Sequence, residues 1–115
     1  MSNLHEECGI FGIFSENRQN VAETVYYGLF ALQHRGQESC GIVVNDDGIF
    51  RNYKDNGLAH EVFTRHVLED LGPGNMAIGH DRYSTTGANE RINAQPIVVN
   101  HHKGRMALAH NGNIV

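Results

Sequence analysis

The chain has 115 residues, 40% of them hydrophobic and 19% charged, with a formal charge of -4, which is the size and balance of one small soluble domain. The acidic balance and the lack of any basic run remove the general case for a nucleic-acid partner, and no apolar run approaches the roughly 18 residues of a membrane span. Two cysteines, Cys8 and Cys40, make neither a disulfide framework nor a CxxC zinc knuckle, an economy that fits a reducing cytoplasm.

Residues 1–7 hold two acids and no apolar stretch, so they read as a short removable leader rather than a secretory signal. Residues 8–14 are small and apolar, with Ile10, Gly12 and Phe14 on one face and Phe11 and Ile13 on the other. That pattern predicts a strand buried on both sides, its glycines letting another backbone come close. Asn20 offers a helix cap with Glu23 three residues on, and Val21, Val25, Leu29 and Leu32 follow at helical spacing, so a helix is expected over 21–34, ended by Gly36. A second apolar strand over 40–44 leads into the hairpin turn Asp46-Asp47-Gly48, with a return strand to about Tyr53. Residues 58–71 fit one or two short helices closed by Gly72-Pro73-Gly74, which lacks the lysine and hydroxyl residue of a phosphate loop. An apolar segment over 76–83 precedes a polar cluster, and 97–100 and 105–109 read as two strands around the turn His101-His102-Lys103-Gly104. The order predicts an α+β fold with helices packed on mainly antiparallel sheet. The sequence reaches Val115 directly after the polar turn Asn111-Gly112-Asn113, and it is expected to be the front part of a longer reading frame.

Cys8 admits two readings. A lone cysteine fits a small buried core residue. On removal of residues 1–7, Cys8 would instead carry a free α-amine, whose ordinary pKa of about 8 suits proton transfer near neutrality, beside its own sulfur. Other residues are equally double-sided when taken singly. Asn111-Gly112 fits a type I' turn, Arg82 a solvated strand-end charge and Arg35 a partner for a helix C-terminus. Eight histidines invite a metal site, but neighbours such as His101 and His102 point to opposite faces of a strand and make a poor ligand pair.

Taken together, four segments resemble the glutaminase domain of the glutamine phosphoribosylpyrophosphate amidotransferase family. They are Cys8-Gly9-Ile10-Phe11-Gly12-Ile13, Leu32-Gln33-His34-Arg35-Gly36-Gln37-Glu38-Ser39, Gly79-His80-Asp81-Arg82-Tyr83-Ser84-Thr85-Thr86-Gly87 and Ala109-His110-Asn111-Gly112-Asn113, with Asn93-Ala94-Gln95-Pro96 fitting as well. The tract Gln33-His34-Arg35-Gly36-Gln37 and the leader before Cys8 favour this purine-pathway family over the related sugar-aminating class II amidotransferases.

The resemblance implies an N-terminal-nucleophile hydrolase fold, a four-layer αββα sandwich with antiparallel sheets, of which this chain supplies part. It divides the chain into a propeptide over 1–7 and the beginning of a type 2 glutamine amidotransferase domain over 8–115, with the remainder and a phosphoribosyltransferase domain further along. Cys8 is then the nucleophile and, through its α-amine, the base. Asn111 and Gly112 form the oxyanion hole, one by side-chain amide and one by backbone N–H, and each such donor typically stabilises the transition state by about 2.7 to 4 kcal/mol. Arg82 takes the α-carboxylate of glutamine with Tyr83 and Thr85 lining the pocket, and Arg35 lies near the nucleophile, where positive charge favours thiolate.

Implied partners are L-glutamine and, through the other domain, phosphoribosylpyrophosphate, in a cytoplasmic homo-oligomer. No cofactor is expected in these residues; the resemblance implies Mg2+ in the C-terminal part and, in some members of the family, a 4Fe-4S cluster there. Asp81 departs from the motif, which usually has an apolar residue such as valine there, and it is expected either to weaken substrate binding or to face solvent. The other readings are an amidotransferase with a different acceptor and a non-catalytic module that keeps its leader.

Overall fold

The structure is a computed structural model that describes residues 8–32, 39–82, 96–101 and 104–108. In chain order the elements are β1 (Cys8–Gln19), α1 (Val21–Leu32), β2 (Ser39–Asp46), β3 (Ile49–Asn56), α2 (Ala59–Val62), α3 (Arg65–Leu71), β4 (Gly74–Arg82), β5 (Ile97–His101) and β6 (Gly104–Leu108). Four strands form one sheet in the order β1-β4-β2-β3, every pair antiparallel, while β5 and β6 pair as a separate hairpin. Among the described residues no helix is long and apolar enough to cross a membrane.

The core lies between α1 and one face of the four-stranded sheet. Val21, Ala22, Val25 and Leu29 fall on one stripe of α1 and are buried against Cys40, Ile42 and Val44 of β2 and Ala77 of β4, with Phe11 and Ile13 of β1 at the margin. Burying a side chain the size of Leu29 or Ile42 contributes about 1.5–3 kcal/mol. Two glycines bring the layers together. A Cβ on Gly28 of α1 would sit 2.6 Å from the Phe11 ring, and one on Gly79 of β4 would sit 2.6 Å from Val25 Cγ1 and 2.8 Å from Leu29 Cδ1. On β1 a Cβ on Gly12 would meet Ile78 Cγ2 at 3.4 Å and the Ala77 carbonyl oxygen at 3.6 Å, a looser approach than those at Gly28 and Gly79. Burial of β1 on both sides is corrected: Ile10 and Phe14, on the face away from α1, are 42% and 68% exposed.

Helix α1 starts as its sequence predicts, although its cap differs from a capping box. The Asn20 carbonyl accepts the Thr24 N–H at 3.4 Å, while its side-chain Nδ2 donates to Glu23 Oε1 at 3.4 Å. Its last described residue is Leu32; the expected continuation to His34 and the stop at Gly36 lie outside the described residues. The β2–β3 turn matches its chemistry: Asp47 and Gly48 both have positive φ, 53° and 90°, as a type I' turn requires, and Asn45 Oδ1 accepts the Gly48 N–H at 2.7 Å.

Residues 58–71 resolve into two short helices. Glu61 Oε1 accepts the Leu58 N–H at 3.0 Å, Thr64 Oγ1 accepts the Val67 N–H at 3.3 Å, and Gly72, with φ 68°, closes α3 through its N–H to the Leu68 carbonyl at 3.1 Å.

An ion-pair cluster ties this connection to the sheet. Arg18 of β1 holds Asp46 through both carboxylate oxygens at 2.9 Å, and Arg51 of β3 reaches Asp46 Oδ2 at 2.8 Å, the Leu71 carbonyl at 2.8 Å and the Pro73 carbonyl at 3.0 Å. The two guanidiniums keep the Asp46 carboxyl well below the usual carboxylate range. Gly74 then enters β4 so close to β2 that a Cβ there would lie 2.6 Å from the Asn45 carbonyl oxygen, which excludes any side chain without a backbone shift.

Candidate active site

The candidate site lies at one end of the sheet, where β1 begins, β2 begins and β4 ends. Strand register places Cys8, Arg82 and Ser39 in one row, with Arg82 in the middle as the Cα partner of both. The next row is Gly9, Asp81 and Cys40, and the third is Ile10, His80 and Gly41. Antiparallel pairing therefore makes near neighbours of residues far apart in the sequence, with opposed Cα atoms about 4.5–5.5 Å apart. In sequence, residues 33–38 precede Ser39 and residue 83 follows Arg82, and these segments carry Arg35, Tyr83 and Thr85. Those three residues, together with Asn111 and Gly112, lie outside the described residues.

Alternation along β4 sorts the polar residues of this end onto two faces. Ala77, Gly79 and Asp81 point to α1, whereas Met76, Ile78, His80 and Arg82 point the other way, to the face that leaves Ile10, Phe14 and Met76 exposed. Arg82 is half-buried, and Ser39 beside it is buried. The sequence reading left Ser39 and His80 without a role. Strand register is the signal that brings them forward, and it is invisible before the sheet order is known.

The expectation that Asp81 either weakens substrate binding or faces solvent is corrected on its second half. Its side chain is fully buried on the α1 side, flanked in register by Gly9 and Cys40. Neither carboxylate oxygen has a hydrogen-bond donor among the described residues, and desolvation pushes its pKa up to about 7. Cys40 is a buried free thiol that donates weakly to the Gly57 carbonyl at 3.7 Å, the ordinary role of a core cysteine.

Two cavities lie on the helix side, away from this end. One of about 480 Å³ is lined by Tyr26, Tyr27, Phe63 and Arg65, and one of about 520 Å³ by Phe50, Tyr53, His66 and Asp70. Among the described residues no three His, Cys, Asp or Glu side chains gather as a metal-holding group.

No family model matches the chain. Similar proteins are nonetheless numerous and consistent. The amidophosphoribosyltransferase of Methanocaldococcus jannaschii is 53% identical over 108 residues, covering 94% of this chain and 23% of that protein. The amidophosphoribosyltransferase of Synechocystis is 49% identical over 110 residues, covering 96% of this chain and 22% of that protein. A solved structure of glutamine phosphoribosylpyrophosphate amidotransferase from B. subtilis, complexed with ADP and GMP, superposes with a TM-score of 0.77 at 42% identity, over 90% of this chain and 22% of that one.

The chain thus spans less than a quarter of the length of the relatives it matches, and it matches their N-terminal part. The antiparallel sheet with helices on one face is part of the N-terminal-nucleophile hydrolase fold of those structures. By sequence over almost its whole length and by fold, the chain belongs to the amidophosphoribosyltransferase family.

Proposed function

We propose that the protein containing this chain transfers the amide nitrogen of glutamine to phosphoribosylpyrophosphate, giving 5-phosphoribosylamine, glutamate and pyrophosphate, in the first step of purine synthesis. Residues 1–7 are the propeptide and 8–115 open the glutamine-hydrolysing domain. The observation that carries this reading is the row Cys8–Arg82, a nucleophile candidate and a carboxylate-binding candidate held as direct strand partners.

In this reading, removal of residues 1–7 frees the α-amine of Cys8, and processing is activation, since no such base exists while the preceding peptide bond is intact. Arg82 fixes the substrate α-carboxylate with a planar fork of donors, and Tyr83 and Thr85 close the pocket around it. The Cys8 sulfur attacks the carboxamide carbon, and its proton passes through the α-amine to the departing nitrogen. The resulting oxyanion is held by the Asn111 side-chain amide and the Gly112 N–H, while Arg35 favours the thiolate. Collapse expels ammonia and leaves a thioester on Cys8, which water hydrolyses to glutamate. Ammonia then displaces pyrophosphate at the ribose anomeric carbon in a phosphoribosyltransferase domain, to which we also assign Mg2+. A 4Fe-4S cluster, where one is present, belongs to that C-terminal part. We place the enzyme in the cytoplasm as a homo-oligomer.

The full-length protein, given glutamine, phosphoribosylpyrophosphate and Mg2+, is expected to release glutamate and pyrophosphate one for one. Glutamate without pyrophosphate would assign a different acceptor, and absence of glutamate would overturn the reading.

A further inference from the structure

Asp81 is the one buried carboxylate that neither the ion-pair cluster nor the proposed chemistry uses among the described residues, and it stands at the site. It follows Gly79 on the α1 face, is 0% exposed, and has no donor to either oxygen among those residues. It is also the chain neighbour of Arg82 and the strand partner of Gly9, the residue after Cys8. We propose that Asp81 is a positioning residue for glutamine capture, acting through the backbones of β4 and β1, so that its neutral form supports binding of the substrate α-carboxylate and its ionised form weakens it. This inference rests on the glutamine-hydrolysing reading above.

An ionised carboxylate behind Arg82, in a medium that screens poorly, lowers the positive potential with which Arg82 attracts a second carboxylate. It also draws water or a cation into the end of the core, disturbing the row that holds Cys8 beside Arg82.

The surrounding groups do not supply that cation. On the same sheet face are the Cys40 thiol, which donates to the Gly57 carbonyl, and Tyr53 and Asp55 of β3. On β1 the neighbours are Gly9 and Phe11, and on α1 they are Val25 and Leu29, with Glu23, Tyr26 and Tyr27 further round that helix. His60 and Glu61 of α2 are exposed, and Arg18 and Arg51 are committed to Asp46 at the other end of the strands. His34, Arg35 and Glu38 lie outside the described residues. Burial that holds the Asp81 proton to about pH 7 places the change in the working range.

The test compares the full-length enzyme with Asp81→Asn and Asp81→Val, measuring kcat and KM for glutamine from pH 6 to pH 8.5, with the reaction driven by ammonia as control. The wild-type KM for glutamine is expected to rise about tenfold across this range relative to either variant, with a smaller change in kcat and none in the ammonia-driven reaction. Hydrogen exchange of the β4 amides, followed in parallel, separates this from simple loss of packing, which would move both reactions. Parallel KM profiles in wild type and both variants would overturn the proposal while leaving the glutamine reading intact. Wild-type enzyme that turns over ammonia but never glutamine would overturn both.

Discussion

Full-length protein carrying Cys8→Ser is expected to lose glutamine-dependent synthesis of phosphoribosylamine by about a thousandfold or more while retaining synthesis driven by added ammonia. The substitution differs from the parent by one atom, but a hydroxyl is a far weaker nucleophile at neutral pH than a thiol. The asymmetry between the two nitrogen sources is the informative part. If Cys8 were a core cysteine like Cys40, which is fully buried and bonded to the Gly57 carbonyl, the substitution would affect both reactions alike through stability. Steady-state rates with each nitrogen source, at equal enzyme concentration, make the measurement.

The second large effect is on stability and comes from Asp81. In the folded chain its proton is held to about pH 7, whereas in the unfolded chain it is lost near the ordinary value of 3.8. Between those values the folded state binds more protons than the unfolded state, so stability is fully present below pH 3.8 and is lost as pH rises to about 7. The shift corresponds to about 4 kcal/mol across that window. Asp46 has the opposite sign: its carboxyl is held down by Arg18 and Arg51, so its contribution is present above about pH 4 and lost as pH falls below that. Asp81→Val is therefore expected to leave the acid limb intact, flatten the neutral limb and slow hydrogen exchange in the middle of β4 at pH 8. Exchange rates in β4 that depend on pH in the same way with and without the carboxylate, once intrinsic exchange is corrected for, would contradict this account of Asp81.

Much of the fold was legible from periodicity and turn chemistry. Val21, Val25 and Leu29 announced α1, Asp46-Asp47-Gly48 announced the hairpin, and Gly72 announced the end of α3. The strand ends were less legible for a physical reason. β1 runs past Phe14 to Gln19, and β3 past Tyr53 to Asn56, through polar residues that carry no hydrophobic alternation. Both strands lie at the edges of the sheet, where polar residues are tolerated, and Arg18 is held in place by Asp46 of β2, a pairing no local pattern reveals.

The site shows the same division. Motifs identified Cys8 and Arg82 separately, but only sheet order makes them partners. The two faces of β4 were equally hidden. Adjacent in sequence, Asp81 and Arg82 suggested an acid beside a ligand arginine, whereas alternation sends one into the core under α1 and the other to the opposite face.

The measurement closest to the central claim is the intact mass of the mature full-length protein before and after incubation with an electrophilic glutamine analogue. The account predicts a mass short by residues 1–7, then a gain of one adduct that peptide mapping places on Cys8. A retained leader with no adduct on Cys8 would contradict it.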